Sequence, residues 1–239
     1  MHPIGYNTGA LCKGDWQLAL DLLKDKPFSV IEIGLLKGHD FFRFVEEESH
    51  AIDLSMYDHI SIHAPKLKEV GIRTEKDLVR CLKLLPGEWN ITHHPDSIKD
   101  FSLWEEFGCR LRLENMDARK RTGKTVEELR GIFKKLPDAC MCFDIAHAEH
   151  IDGTMELGRE MCIEFADKIK QIHLSRCLAN SKHTTINTEI LRSFSKVAAY
   201  FPYGCPIVLE CNPLTSISHE IEFMQNEFPR HGIDILWKK

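Results

Sequence analysis

The chain lacks any apolar run approaching the ~20 residues of a membrane span. Its first stretch, MHPIGYNTGALCKGDW, lacks the basic segment and apolar core of a secretory leader. A spanning or exported protein is therefore not expected, and the sequence reads as cytoplasmic. It has no C-x-x-C pair and an odd number of cysteines, 9. Cys81, Cys140, Cys142 and Cys162 lie in apolar surroundings, which predicts reduced core residues of an intracellular protein. Excess positive charge is also missing. The 31 Lys+Arg against 36 Asp+Glu leave a net charge of −5, which weighs mildly against nucleic-acid binding. There is no low-complexity segment, linker or short-period repeat, so a single domain over residues 1–239 is the simplest organisation.

What the chain does have is one repeating rhythm of apolar run, polar turn and helical pattern. Strand-like runs are Pro3–Thr8, Ser29–Leu35, His59–Ala64, Trp89–His94, Arg110–Asn115, Cys140–Ile145, Ile169–Ser175 and Pro206–Cys211. Between them, apolar residues recur at helical spacing. Trp16, Leu20 and Leu23 share one face of DWQLALDLLKDK; HDFFRFVEEE, NTEILRSFSKVAAYF and SISHEIEFMQNEF continue the series. Thr74 is placed to N-cap RTEKDLVRCLKLL, and Thr125 with Glu128 three residues on fits a capping box. Strands alternating with helices imply a parallel sheet. Eight such units in this length predict a (β/α)8 TIM barrel. The competing doubly wound sheet would carry G-x-G-x-x-G after its first strand, and GYNTGAL does not match it.

In a barrel of this kind the site forms at the C-terminal ends of the strands. From the second strand onward, each ends in or beside an acid or an imidazole: Glu32, His63, His93 and His94, Glu114, Asp144 with His147, His173 and Glu210; His183 lies in the loop after the seventh. If the barrel forms, these groups converge. Carboxylates and imidazoles crowded together out of water are costly unless a cation joins them. Imidazole with carboxylate suits zinc, manganese or iron. Alternation along the fifth strand also turns Arg112 toward the interior, with no evident carboxylate partner.

From IGYNTG to GIDILW, nearly the whole chain resembles the xylose isomerase-like barrels, which include endonuclease IV, UV-damage endonuclease and many sugar isomerases and epimerases. In endonuclease IV the HAP of the third strand supplies a metal histidine, here His63, and the HP of the fourth supplies another, here His94. The glutamate ending the fifth strand bridges two metals and matches Glu114. The D-x-x-H of the sixth matches Asp144 and His147, the seventh-strand histidine His173, the loop histidine His183, and the last-strand glutamate Glu210. Two positions depart from that pattern. Ser181 stands where endonuclease IV has the aspartate of D-x-H, and Lys66 stands where an aromatic residue follows HAP. UV-damage endonuclease looks similar in lacking that aspartate.

The resemblance implies two enzymatic readings. The first is a metal-dependent phosphodiesterase of the endonuclease IV type, a hydrolase using two or three zinc ions, or manganese, on a phosphodiester such as damaged DNA. Arg176 and Lys182 would contact phosphate, and DARKRTGK, with Arg119, Lys120, Arg121 and Lys124, would border the same face. Tyr6 and Trp104 are candidate aromatic contacts. The alternative is a sugar or sugar-phosphate isomerase or epimerase. One metal would be held by Glu114, Asp144, His173 and Glu210, with Glu114 and Glu210 as the acid/base pair and His147 bonding the substrate. A degenerate metal- or partner-binding barrel is a third, non-enzymatic possibility.

Overall fold

The computed structural model describes residues 1–34, 38–67, 71, 74–177, 183–213 and 216–238, with the backbone alone for 38–40. Eight parallel strands form the barrel: β1 (His2–Asn7), β2 (Val30–Gly34), β3 (His59–His63), β4 (Asn90–His93), β5 (Leu111–Glu114), β6 (Cys140–Asp144), β7 (Ile169–Leu174) and β8 (Ile207–Leu209). It closes where Ile4, Gly5 and Tyr6 of β1 pair with Ile207, Val208 and Leu209 of β8. Ile235–Leu236 adds two residues alongside the start of β1. Every predicted strand is present and each ends one or two residues earlier than predicted, so Glu210 falls one residue past β8; β1 also starts one residue earlier, at His2. No helix among the described residues is long and apolar enough to cross a membrane.

The pairing of β1 with β2 depends on a position with no side chain. A Cβ on Gly5 would lie 1.6 Å from the Val30 carbonyl oxygen of the neighbouring strand. Backbone cannot yield there as a side chain can. Gly5→Ala is expected to cost about 1–3 kcal/mol or more, read as a lower midpoint in urea unfolding.

The outer layer is α1 (Thr8–Cys12), α2 (Trp16–Leu23), α3 (Gly38–Arg43) running into a π-helical turn at Phe44–Glu48, α4 (Glu75–Leu82), α5 (Val126–Lys135), α6 (Ile145–Ile151), α7 (Glu156–Glu164), α8 (Thr188–Ser195) and α9 (Ile217–Glu227). The predicted caps form. The Thr74 hydroxyl accepts from the Asp77 amide at 3.2 Å, and Thr125 accepts from the Glu128 amide at 3.3 Å. Glu128 reaches one residue further back than a capping box requires, to the Lys124 amide. In α4, Leu78, Val79 and Leu82 face the barrel; in α2, Trp16, Ala19 and Leu23 do, with Leu20 half-buried.

The alternation is not strictly one helix per strand. β6 is followed by two helices. β4 is followed by 3-10 turns at Pro95–Ser97, Phe101–Leu103 and Glu105–Arg110 instead of an α-helix. Pro95 lies two residues past the end of β4, Asp100 caps its own turn through the Ser102 amide, and Gly108 adopts φ 50°, ψ −132°, a conformation that only glycine takes easily.

Candidate metal centre

The sequence CMCFDIAHA explains how the fold aims its acids. Cys140, Cys142 and Asp144 alternate onto one face of β6, and the chain then turns directly into α6. Asp144 is both the last residue of the strand and the N-cap of the helix. Its Oδ1 accepts from the His147 amide at 2.7 Å, as an N-cap does. Oδ2 is buried and receives no hydrogen bond.

Around that oxygen the barrel mouth gathers all eight candidate ligands named above. Glu114, Asp144, His173 and Glu210 each bring a ligand atom within 4.8 Å of the others. His63, His94 and Glu114 form a second such group, and Asp144, His147 and His183 a third. Because Glu114 and Asp144 are shared, the three groups are contiguous. Glu114 Oε2 lies 3.4 Å from His63 Nε2 and 3.2 Å from His94 Nε2. His173 Nδ1 is 3.4 Å from Glu210 Oε1 and 3.9 Å from Glu114 Oε2. His183 Nδ1 is 3.8 Å from Glu210 Oε2, with Ser175 Oγ closer at 2.6 Å. His147 Nδ1 bonds the Asn115 carbonyl at 2.9 Å.

These residues fit a divalent cation. Two buried atoms of the four-residue group, Asp144 Oδ2 and His173 Nδ1, have no hydrogen-bond partner, and Glu114 Oε1 faces His147 Nδ1 at 2.9 Å; all three are good metal donors. In protein alone, protonated imidazoles balance the charge. Burial opposes it, yet Asp144 and Glu114 carry His147 up to about 10. Burial likewise opposes the rise of His63, which hydrogen bonding to Glu114 and the charge of Glu32 bring to about 9. Burial lifts Asp144 to about 6. Glu114 lies well below the usual carboxylate range; burial works against this and the His94 and His147 charges overcome it. A metal displaces the imidazole protons, since only neutral imidazole coordinates. Zinc binding at pH 7 is therefore expected to release protons, seen as a binding enthalpy that varies with the ionisation enthalpy of the buffer.

Behind the ligands lies a polar layer that strand-end inspection does not separate from them. Glu32 is fully buried inside the barrel. It accepts from Asn7 Nδ2 at 2.8 Å, Ser61 Oγ at 2.9 Å, Thr92 Oγ1 at 2.6 Å and Gln171 Nε2 at 2.7 Å, and it lies 3.2 Å from His173 Nε2. Asn7 also donates to Glu210 Oε1 at 3.2 Å. Arg112 finds its partner here: its Nη1 donates to Gln171 Oε1, so the nearest carboxylate is reached through an amide. Gln171 sits two residues before His173 on the same inward face of β7, which is the sequence signal for it.

Other expectations need revision. His93 points away from the centre, stacked on Trp104 at 4.3 Å with its Nε2 against Ser97 Oγ. Trp104 is fully buried and bonds Glu75 through its indole nitrogen, and Tyr6 is fully buried and bonds Glu220, so neither aromatic meets a ligand. Arg176 is not among the residues lining the mouth; it pairs with Glu189 at 2.6 Å. Lys182 and Ser181 lie outside the described residues. Among the described residues, the Lys and Arg side chains lining the cavity are Lys66, Arg119 and Lys120, the last two paired with Asp117 and Asp96. The cavity holds about 360 Å³, with Asn7, Gly9, Ala10 and Gly34 on another wall and Glu114, His147 and Glu210 among its lining residues.

Solved structures with the same barrel fold superpose on this chain. A 3-keto-D-glucoside 4-epimerase from E. coli matches with a TM-score of 0.59 at 12% identity, covering 94% of this chain and 99% of its own. A proposed sugar phosphate isomerase/epimerase from Anabaena variabilis matches with a TM-score of 0.54 at 14% identity, covering 93% and 88%. No protein-family model and no curated protein sequence matches the chain.

Proposed function

We propose that the protein is a metal-dependent isomerase or epimerase acting on a small sugar or sugar phosphate. The observation that carries this reading is the pair of buried carboxylates, Glu114 and Glu210, meeting the same His173 and Asp144 at the floor of a cavity of about 360 Å³. That volume is of the size that takes one small molecule. Structural neighbours named as sugar epimerases support the same choice at the level of fold.

In this reading Glu114, Asp144, His173 and Glu210 hold the metal. When bound, the metal polarises the substrate carbonyl and acidifies the carbon beside it. Glu114 arrives from β5 and Glu210 from just beyond β8, so the two carboxylates approach a bound sugar from different sides. One removes the proton from the carbon next to the carbonyl, and the other returns a proton. Asn7 holds Glu210 Oε1 and leaves Oε2 for this work. His147, with Nδ1 between the Asn115 carbonyl and Glu114 Oε1, both at 2.9 Å, turns Nε2 to the substrate hydroxyls. Lys66 and Lys120 on the rim suit a phosphate or another anionic end.

A specific observation favours a second reading. His63 and His94 form a further donor group on Glu114, which a one-metal isomerase does not require and a multinuclear phosphodiesterase does. Against a duplex substrate stand the small cavity, the burial of Trp104 and Tyr6, and Lys66 in the place of a wedging aromatic. Metal analysis by plasma mass spectrometry separates the two. One equivalent per chain, retained when His63 and His94 are both changed to alanine, is the isomerase result. Two or three equivalents, falling on that double change, would replace it with the hydrolase.

A further inference from the structure

We infer that a buried column, Arg112–Gln171–Glu32–His173, fixes which nitrogen of His173 meets the metal, and that Glu32 is a positioning residue for the centre and not one of its ligands. The inference rests on the metal reading above and is independent of the substrate.

The starting point is a donor count. Glu32 groups with His63, His173 and Glu210 closely enough to be taken for a ligand. Its two oxygens offer about four lone-pair positions. Asn7 and His173 face Oε1, while Ser61, Thr92 and Gln171 face Oε2. Five donors saturate the carboxylate, and no lone pair is left for a cation.

The orientation of those donors follows from Arg112 upward. A guanidinium can only donate, so the Gln171 atom that meets Arg112 Nη1 must be its oxygen. The Gln171 amide nitrogen then faces the other way and donates to Glu32 Oε2 at 2.7 Å, with Thr92 Oγ1 at 3.0 Å. Thr92 in turn gives its own proton to Glu32. His173 Nε2 lies 2.9 Å from the same nitrogen, so Thr92 and His173 compete for the second amide proton. Nε2 also lies 3.2 Å from the anionic Glu32 Oε1, the stronger acceptor of an imidazole proton, so the proton is assigned to Nε2. Nδ1 is then the lone-pair nitrogen. It is buried, without a hydrogen-bond partner, and lies 3.4 Å from Glu210 and 3.9 Å from Glu114. A carboxylate behind a metal histidine fixes its tautomer and raises its basicity.

The test uses zinc alone on the full chain. In the zinc-loaded protein with nitrogen-15-labelled histidine, long-range proton–nitrogen correlation spectra should show His173 bound through Nδ1 with a proton on Nε2. Zinc affinity, read by competition with a chromogenic chelator, should fall about 10- to 100-fold in Glu32→Gln, which keeps the volume and one acceptor oxygen but not the charge. His173 coordinated through Nε2 would overturn the inference, as would Glu32→Gln folding normally and binding zinc within twofold of wild type. If that variant fails to fold, the wild-type spectrum still decides. No zinc uptake by wild type would defeat the metal reading itself, an outcome distinct from zinc bound through the other nitrogen.

Discussion

Glu114→Gln is expected to abolish turnover and metal retention together, with kcat/KM lower by ~10³-fold or more. Two losses combine. Glu114 belongs to both the four-residue group and the His63–His94 group, so it is the acid on which the centre converges. It is also one half of the proposed proton-transfer pair, and a positioned acid or base contributes about 10²–10⁴ by itself. Glutamine matches its volume and leaves the barrel intact, so circular dichroism and the unfolding midpoint of metal-free protein serve as controls. Glu210→Gln should lose a similar factor in turnover but retain more metal, because Glu114, Asp144 and His173 remain. Equal, modest losses in both variants would mean that the carboxylates bind without transferring protons.

Trp104→Ala is expected to destabilise the fold by about 3–5 kcal/mol, the range for removing a large aromatic side chain from a core. Trp104 is fully buried, stacks on His93 at 4.3 Å with an interplanar angle of 14°, and donates its indole proton to Glu75 at 2.8 Å. Glu75 also accepts from the Lys99 and Asp100 amides, so the indole anchors the irregular connection that follows β4 to the start of α4. Activity per folded molecule should stay near wild type, because the mouth lies on the other side of His93. Chemical unfolding monitored by fluorescence of the three remaining tryptophans measures the loss. A stable variant with lost activity would put Trp104 at the substrate instead.

The strands were legible because β-branched and apolar runs punctuated by polar turns admit few alternatives, and the site was legible because barrel geometry concentrates chemistry at strand ends. His94 was separable from His93 by register. Thr92 points inward to Glu32, so His93 points outward to Trp104, and His94, just past the strand, turns back over the mouth. The connection after β4 was harder. Phe101, Trp104 and Phe107 recur every three residues, a spacing compatible with an α-helix and also with the 3-10 turns found, in which residues three apart eclipse. Glu32 was visible as a strand-end acid, but its role was not. Whether an inward acid reaches the mouth or stops one layer below depends on the stagger of the strands around the barrel. That stagger aligns Glu32 with Ser61 and puts Gln171 across the interior from it. Arg176 was harder to place, because closeness in sequence to His173 says nothing about where a long side chain settles, and here it meets Glu189 on the surface.

Solvent exchange tests the central claim most directly. The metal-loaded protein is incubated in D2O with a panel of ketoses and ketose phosphates, beside a DNA duplex carrying one abasic site. The expected result is deuterium at the carbon next to the carbonyl of one sugar, lost in Glu114→Gln and Glu210→Gln, with the duplex intact. Strand cleavage at the abasic site, with no deuterium in any sugar, would contradict it.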